Sequence, residues 1–258
     1  MRARKRFGQH FLTDEFVLQE IAGAIGLREH DRVMEIGPGH GALTEWLMGT
    51  PACYRAVEID RDLVPLLRAR FSAMDLVVGD ILRLDLSVIL DQGAPWRLVG
   101  NLPYNISSPL LGRMTQFALD YPERIADMHF MLQREMAHRL AAQPGTKAWG
   151  RLSVMVQLQF DVEWLFDVSP DSFSPPPKVW SSVVRLFPRN RIPSDVDVTM
   201  LDRVLRIAFA GRRKQLSNSL RALDIDWQRS DLDPSLRADN VTAEQFLNLV
   251  PLVRSHDQ

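Results

Sequence analysis

Three carboxylates and three glycines are spaced along the amino-terminal half of the chain in a way that suits a nucleoside carrying a positive charge. Glu35 stands at the end of the apolar run Arg32-Val33-Met34-Glu35-Ile36, and Gly37, Gly39 and Gly41 follow at alternate positions. Glycines at a strand-to-helix turn supply positive φ and let a ligand approach the backbone, since no Cβ stands in the way. Glu58 comes about 20 residues later, the separation at which an acid ending the second strand accepts from a ribose. Asp80 closes a third apolar run, Leu76-Val77-Val78-Gly79. In an open parallel sheet the carboxyl ends of neighbouring strands line one crevice, so Glu35, Glu58 and Asp80 are expected to converge on one ligand.

The spacing also says which ligand. A dinucleotide fingerprint needs a third glycine three positions after the second, whereas here Gly41 leads directly into Ala42-Leu43. A carboxylate at Glu35 suits a cation and not a pyrophosphate. S-adenosylmethionine, with a sulfonium, an α-ammonium, an adenosine and no phosphate, fits, and the E-x-G-x-G-x-G pattern resembles the first motif of Rossmann-like methyltransferases. Asp80 is placed to accept from the exocyclic amine of its adenine, or else to cap the helix that follows.

Asn101-Leu102-Pro103-Tyr104 supplies the other half of such a reaction. An exocyclic adenine amine is a poor nucleophile because its lone pair is delocalised into the ring. Acceptors on its N–H groups draw the nitrogen toward a tetrahedral shape with the lone pair aimed at the sulfonium. Asn101 offers a side-chain oxygen, Leu102 a carbonyl held in extended backbone by Pro103, and Tyr104 a ring face for stacking. No formal base is required, so catalysis is expected to rest on positioning and charge complementarity.

The elements that must hold these residues follow from periodicity. Thr13 is read as the N-cap of a helix with apolar Phe16, Val17, Ile21, Ala24 and Ile25, ended by Gly26. Helices are expected from Leu43 to about Met48, Asp62 to Phe71, Pro109 to Leu119 and Arg134 to Ala142. Strands are expected at Arg55–Ile59, Leu76–Asp80, Arg97–Gly100, Asp127–Gln133 and Ser153–Phe160. The proline run Pro175-Pro176-Pro177 lies between two strands, where a stiff loop would hold Phe173 opposite Tyr104 around a flipped base. Pro188 to Asp197 reads as a boundary. Beyond it Leu201, Val204, Leu205, Ala208 and Phe209 make a helical stripe, Arg212-Arg213-Lys214-Gln215 opens a second helix, and Thr242 with Gln245 forms a capping box. The fold class is therefore α/β, with a Rossmann-like sheet over 1–188 and a small all-helical domain over 189–258.

The totals set limits. At 258 residues with 46% hydrophobic and 24% charged residues, the chain has ordinary globular composition. No apolar run is long enough to span a membrane, and the basic start Arg2 to Arg6 is followed by no apolar signal core. Cys53 is the only cysteine, so disulfides within the chain are excluded and a cytoplasmic location is expected. The six histidines lack metal-ligand spacing, and no metal is expected. A net charge of −1 is not the footprint of a protein that coats naked nucleic acid. The clusters Arg2 to Arg6 and Arg212-Arg213-Lys214 are the local exceptions, and both could face one RNA.

With these residues assembled, the chain closely resembles the ribosomal-RNA adenine dimethyltransferases, and within them the bacterial small-subunit type. The resemblance rests on Lys5 to Leu12, Glu35 to Thr44, Asn101 to Tyr104, Phe130 to Glu135, Phe173 to Val179 and Arg212 to Lys214. It implies transfer of two methyls to each of two adjacent adenosines near the 3′ end of small-subunit rRNA. It puts cofactor contacts at His10, Leu12, Gly37, Gly39, Glu58, Asp80 and Asn101. Catalysis falls to Asn101, Leu102, Pro103 and Tyr104, and substrate contacts to Tyr104, Phe173, Arg212, Arg213 and Lys214. His10 departs from the pattern, since many relatives carry Asn there. The implied partner is small-subunit rRNA in an immature ribosomal subunit, met by a monomer that binds neither membrane nor DNA. Two alternatives stand beside this: a large-subunit dimethyltransferase of the antibiotic-resistance type, whose relatives usually read Asn-Ile-Pro-Tyr, and a catalytically silent assembly factor on the same fold.

Overall fold

The computed structural model describes residues 10–189, 192–193 and 195–254. The basic cluster Arg2 to Arg6 and the Phe7 to Gln9 segment lie outside the described residues. In chain order the elements are β1 (Phe11–Leu12), α1 (Glu15–Ile25), β2 (Arg32–Ile36), α2 (Ala42–Leu47), β3 (Cys53–Glu58), α3 (Val64–Arg70), β4 (Asp75–Val78), α4 (Leu86–Ile89) and β5 (Trp96–Asn101). Then come α5 (Tyr104–Asp120), β6 (Ile125–Gln133), α6 (Arg134–Leu140), α7 (Arg151–Gln159), β7 (Phe160–Val168), β8 (Phe173–Ser174), β9 (Ser181–Pro188), α8 (Val198–Ala210), α9 (Leu216–Ser219) and α10 (Ala243–Leu249).

Seven strands form one sheet in the order β4-β3-β2-β5-β6-β9-β7. The pairs from β4 to β6 are parallel, and β9 runs antiparallel to β6. Strands covered on both faces need apolar residues throughout, and Val33, Met34, Ile36, Leu98 and Val99 are all buried. After β2 the chain builds outward through β3 and β4, then returns to the other side of β2 as β5. That reversal opens a crevice at the carboxyl ends of β2 and β5, where Gly37 and Asn101 stand.

Helix α1 roofs one face of the sheet. Leu18, Ile21 and Ile25 form its buried stripe, each contributing roughly 1.5–3 kcal/mol of apolar burial. Its N-cap is Asp14 rather than Thr13: the Asp14 carboxylate accepts from the backbone N–H groups of Phe16 and Val17, while Thr13 donates its own N–H to Ser172. Gly26 ends the helix at φ 57°. The carbonyls of Ile25 and Gly26 accept from Arg97, whose guanidinium also forks onto Asp127 at 2.8 and 2.9 Å. A buried cation at a helix carboxyl end is favourable, and it ties α1 to β5 and β6.

Contact density divides the chain into two compact units, 1–137 with 161–188 and 138–160 with 189–258. A single cut at 188 therefore misses one segment. The run Ser153–Phe160, expected as a strand, is helical through Gln159, and only Phe160 is extended, as the first residue of β7: the Ser153 hydroxyl accepts from the N–H of Gly150 at the start of α7. Val154 and Leu158, four apart, join Trp149 in a core with Leu201, Val204, Leu205, Ala208 and Phe246. Trp149 donates its indole N–H to the carbonyl of Val241. Thr242 and Gln245 form the expected reciprocal cap of α10.

Candidate active site

A cavity of about 400 Å³ opens at the crevice, and its wall includes His10, Leu12, Gly37, Gly39, Glu58, Asp80, Asn101, Leu102, Pro103, Tyr104 and Phe173. That volume is ample for a nucleoside-sized ligand. Gly37 and Gly39 have φ of 70° and 60°. A Cβ on Gly39 would lie 3.1 Å from the ring of Phe11, and one on Gly37 would stand in open space. The loop is thus shaped for close approach to main chain.

Glu58 holds this loop. One of its carboxylate oxygens accepts from the N–H of Gly39 at 3.1 Å, the other from that of Asp60 at 2.7 Å. Each oxygen retains a lone pair for a hydroxyl from the cavity. Glu35 is clamped differently: one oxygen accepts from the hydroxyls of Thr44 at 2.5 Å and Tyr54 at 2.7 Å. Burial raises both carboxyls, that of Glu35 to about 7, with the nearby charge of Glu58 adding to the effect. Among the described residues neither has an ion-pair partner. The cavity thus presents two buried carboxyl groups, and burial disfavours the charged form of each. The sequence hinted at Glu35, but not at Thr44 and Tyr54, which reach it from α2 and β3.

Asp80 does not cap α4, whose N-cap is Asp85. Its Oδ1 accepts from the N–H of Leu82 in the turn after β4, and the residue lines the cavity.

Asn101 ends β5, and its amide nitrogen donates to the main-chain carbonyl of His10 at 3.1 Å. The side-chain oxygen is the atom left for a ligand. Leu102 donates its N–H to Met131. Its carbonyl precedes the N-cap Pro103 and so stands outside the hydrogen-bond ladder of α5. Two acceptors therefore sit at consecutive residues where the strand gives way to the helix.

Tyr104 is half-buried, its hydroxyl 3.1 Å from that of Ser181, and burial pushes its phenol up so that it stays neutral. The ring stacked on it belongs to His10, with centroids 5.9 Å apart and planes at 29°. The Nδ1 of His10 lies 2.8 Å from the carbonyl of Pro175. Phe173 lines the same cavity as Tyr104 and is 4% exposed, held by the pairing of β8 with β1 that sets Leu12 against it. The short β1–β8 ladder pulls it into the core.

The basic cluster is split. Arg212 donates to Asp239 and to the carbonyls of Lys147 and Trp149; it pins the turn after α8 and does not join its neighbours. This stretch is a turn, and helix α9 begins only at Leu216. Arg213 and Lys214 line a groove with Gln215, Asn218, Arg221, Ser235 and Arg237. Among the described residues no acidic side chain lines it. Arg221 and Arg237 carried no sequence signal, being distant from the cluster in the chain.

The profile of the ribosomal RNA adenine dimethylase family matches residues 1–254. The ribosomal RNA small subunit methyltransferase A of Pseudomonas aeruginosa is 48% identical over 254 residues, 96% of this chain and 93% of that one. The protein of the same name from Hahella chejuensis is 44% identical over 99% of this chain and 94% of its own. A dimethyladenosine transferase from Plasmodium falciparum superposes with a TM-score of 0.76 at 25% identity, covering 93% of this chain and 96% of that one. The 23S rRNA methyltransferase ErmE gives 0.68 at 26% identity, with coverage of 94% and 99%. The fold is Rossmann-like, as these neighbours share it.

Proposed function

The chain belongs to the ribosomal RNA adenine dimethylase family and is an S-adenosylmethionine-dependent rRNA adenine methyltransferase; we propose that it dimethylates N6 of two adjacent adenosines near the 3′ end of small-subunit rRNA. The observation that carries this reading is the freed oxygen of Asn101, set beside the Leu102 carbonyl and the Tyr104 ring on a cavity holding two unpaired carboxylates. The relatives at 44–48% identity are small-subunit enzymes, against 26% for the large-subunit one, which favours the small subunit.

When bound, the cofactor supplies a methyl group on a positively charged sulfur. The Asn101 oxygen and the Leu102 carbonyl accept the two N–H bonds of the target amine, turning its lone pair away from the ring and toward that methyl. Tyr104 supports the base, Glu58 accepts from the ribose hydroxyls, and Asp80 from the cofactor adenine amine. As the amine gains a methyl it becomes acidic and gives its proton to water. Preorganised acceptors of this kind supply the rate, each worth roughly 10²–10³-fold.

Arg213 and Lys214, now with Arg221 and Arg237, would neutralise phosphates of the folded RNA. The net charge of −1 favours a shaped ribonucleoprotein substrate over free RNA, hence an immature small subunit in the cytoplasm, met by a monomer without use of DNA or membrane. Among the described residues no helix is long and apolar enough to cross a membrane. Mass spectrometry of small-subunit rRNA from cells lacking the chain tests the reading: the dimethyladenosines should be missing, and return with the wild-type gene but not with Asn101→Ala. Their persistence in the deletion would overturn it.

A further inference from the structure

The cavity does not end at Asn101. Across the sheet Asn101 pairs with Met131 of β6, and Met131 pairs with Val183 of β9. Cross-strand partners point to one face, so these side chains form one row. One step down the strands, Val99 pairs with His129 on the same face. Leu18 and Ile21 of α1 lie over these rows, and Leu18, Ile21, His129, Met131 and Val183 all line the cavity although each is at most 4% exposed. A chamber therefore runs from Asn101 beneath α1. Its wall is apolar where Leu18, Ile21, Met131 and Val183 meet, and the row below carries two titratable groups: His129, which burial pushes down to about 4, and Glu35, which pairs with Val99 and which burial pushes up to about 7.

A dimethylating site must solve a problem that a monomethylating one does not. After the first transfer the amine keeps one N–H, so one of its two acceptors loses its partner and a methyl group takes that place. A methyl against a polar wall is unfavourable, and without room the second lone-pair alignment cannot be reached. Beside Asn101 the chamber is apolar, walled by Met131, Val183 and Ile21.

We propose that the chamber bounded by Met131, Val183 and Ile21 receives the first N6-methyl group and thereby makes the dimethyl product possible. The inference rests on the reading of the site as an adenine N6-methyltransferase. In the second transfer the N6 lone pair forms the new N–C bond while the C–S pair stays on sulfur. The last N6 proton, held by the remaining acceptor, leaves to water. Met131, Val183 and Ile21 touch only the spectator methyl, and they set how many methyls are added without acting on the first.

The test fills the chamber and then enlarges it. Val183→Ile and Ile21→Phe are assayed in single-turnover reactions on immature small-subunit particles, with products resolved by mass spectrometry and S-adenosylmethionine binding measured by calorimetry. The expected result is accumulation of N6-monomethyladenosine: the second transfer slows at least about tenfold while the first stays within about threefold. Equal slowing of both transfers, or full dimethylation by both variants, would overturn the proposal. Should overpacking unfold both, Met131→Ala decides with the S-ethyl analogue of the cofactor. Wild type should add one ethyl per amine and the enlarged variant two; identical products reject the chamber. Wild type that forms no dimethyladenosine at all would instead refute the enzyme reading itself.

Discussion

The side-chain nitrogen of Asn101 reaches the main-chain carbonyl of His10, a residue 91 positions earlier in the chain. One hydrogen bond thus orients the carboxamide: its nitrogen is spent on the protein, and its oxygen faces the cavity. Replacing Asn101 by Ala removes the acceptor and should slow single-turnover methylation by about a hundredfold or more, with a smaller change in cofactor affinity. Asn101→Asp should be no better, since a carboxylate has no donor for the His10 carbonyl and must turn or repel it. A rate within about threefold of wild type in either variant would reject the role.

Glu58 holds the glycine loop and, in the proposed function, a ribose hydroxyl, and two substitutions test the second role. Glu58→Ala withdraws the charged acceptor from the cavity and frees the N–H groups of Gly39 and Asp60, so cofactor affinity should fall by roughly 1.5–3 kcal/mol, tenfold or more. Glu58→Gln keeps one acceptor oxygen but sets an amide against one of those donors, and should fall between. Calorimetry on the folded variants measures both; unchanged affinity in Glu58→Ala rules out the assignment.

The position of these residues was legible in the sequence because each signal is local. Gly37 and Gly39 announce a backbone shape, and Glu58 and Asn101 end apolar runs whose carboxyl ends meet in any sheet wound this way. What failed depended on partners far along the chain. Arg212 and Arg213 are indistinguishable as sequence, and only the fold brings Asp239 and the carbonyl of Trp149 to the first of them. Val154, Val156 and Leu158 alternate like a strand, yet α7 is a helix packed on residues beyond position 200. The pairing of Phe173 with Leu12 likewise leaves no trace in composition.

The Glu35 carboxyl gives a pH signature. Burial holds it near 7 in the folded protein against about 4.5 unfolded, so between those values the folded state binds more protons. Stability contributed by the neutral carboxyl is therefore full below about pH 4.5 and is lost as pH rises through 7, by about 3 kcal/mol at most. Glu35→Gln removes this titration. Urea unfolding should find the variant more stable than wild type at pH 8 and close to it at pH 5. Curves that differ equally at both pH values would exclude Glu35 as the titrating group. Cofactor binding beside Glu35 should also release a proton near pH 7, read as a buffer-dependent enthalpy in wild type that vanishes in Glu35→Gln.

The split of the basic cluster separates stability from RNA binding. Arg212 donates to Asp239 and two carbonyls, one of them that of the buried Trp149, so Arg212→Ala leaves polar groups unpaired and should destabilise the protein by about 1–3 kcal/mol. Its effect on RNA affinity should be small in protein that remains folded. Lys214 and Arg237 belong to the groove. Neutralising either should leave the melting temperature nearly unchanged but weaken binding to immature subunit particles, lowering the slope of log affinity against log salt by about one for each phosphate no longer neutralised. Arg221→Ala should behave like them, although nothing near it in sequence marks it as part of the same surface. Salt titrations of particle binding and thermal melts on the four variants read out both effects together. A destabilised Arg237→Ala with an unaltered salt slope would remove the groove from the RNA-binding surface, and an Arg212→Ala that melts like wild type while its slope falls by about one would return Arg212 to it.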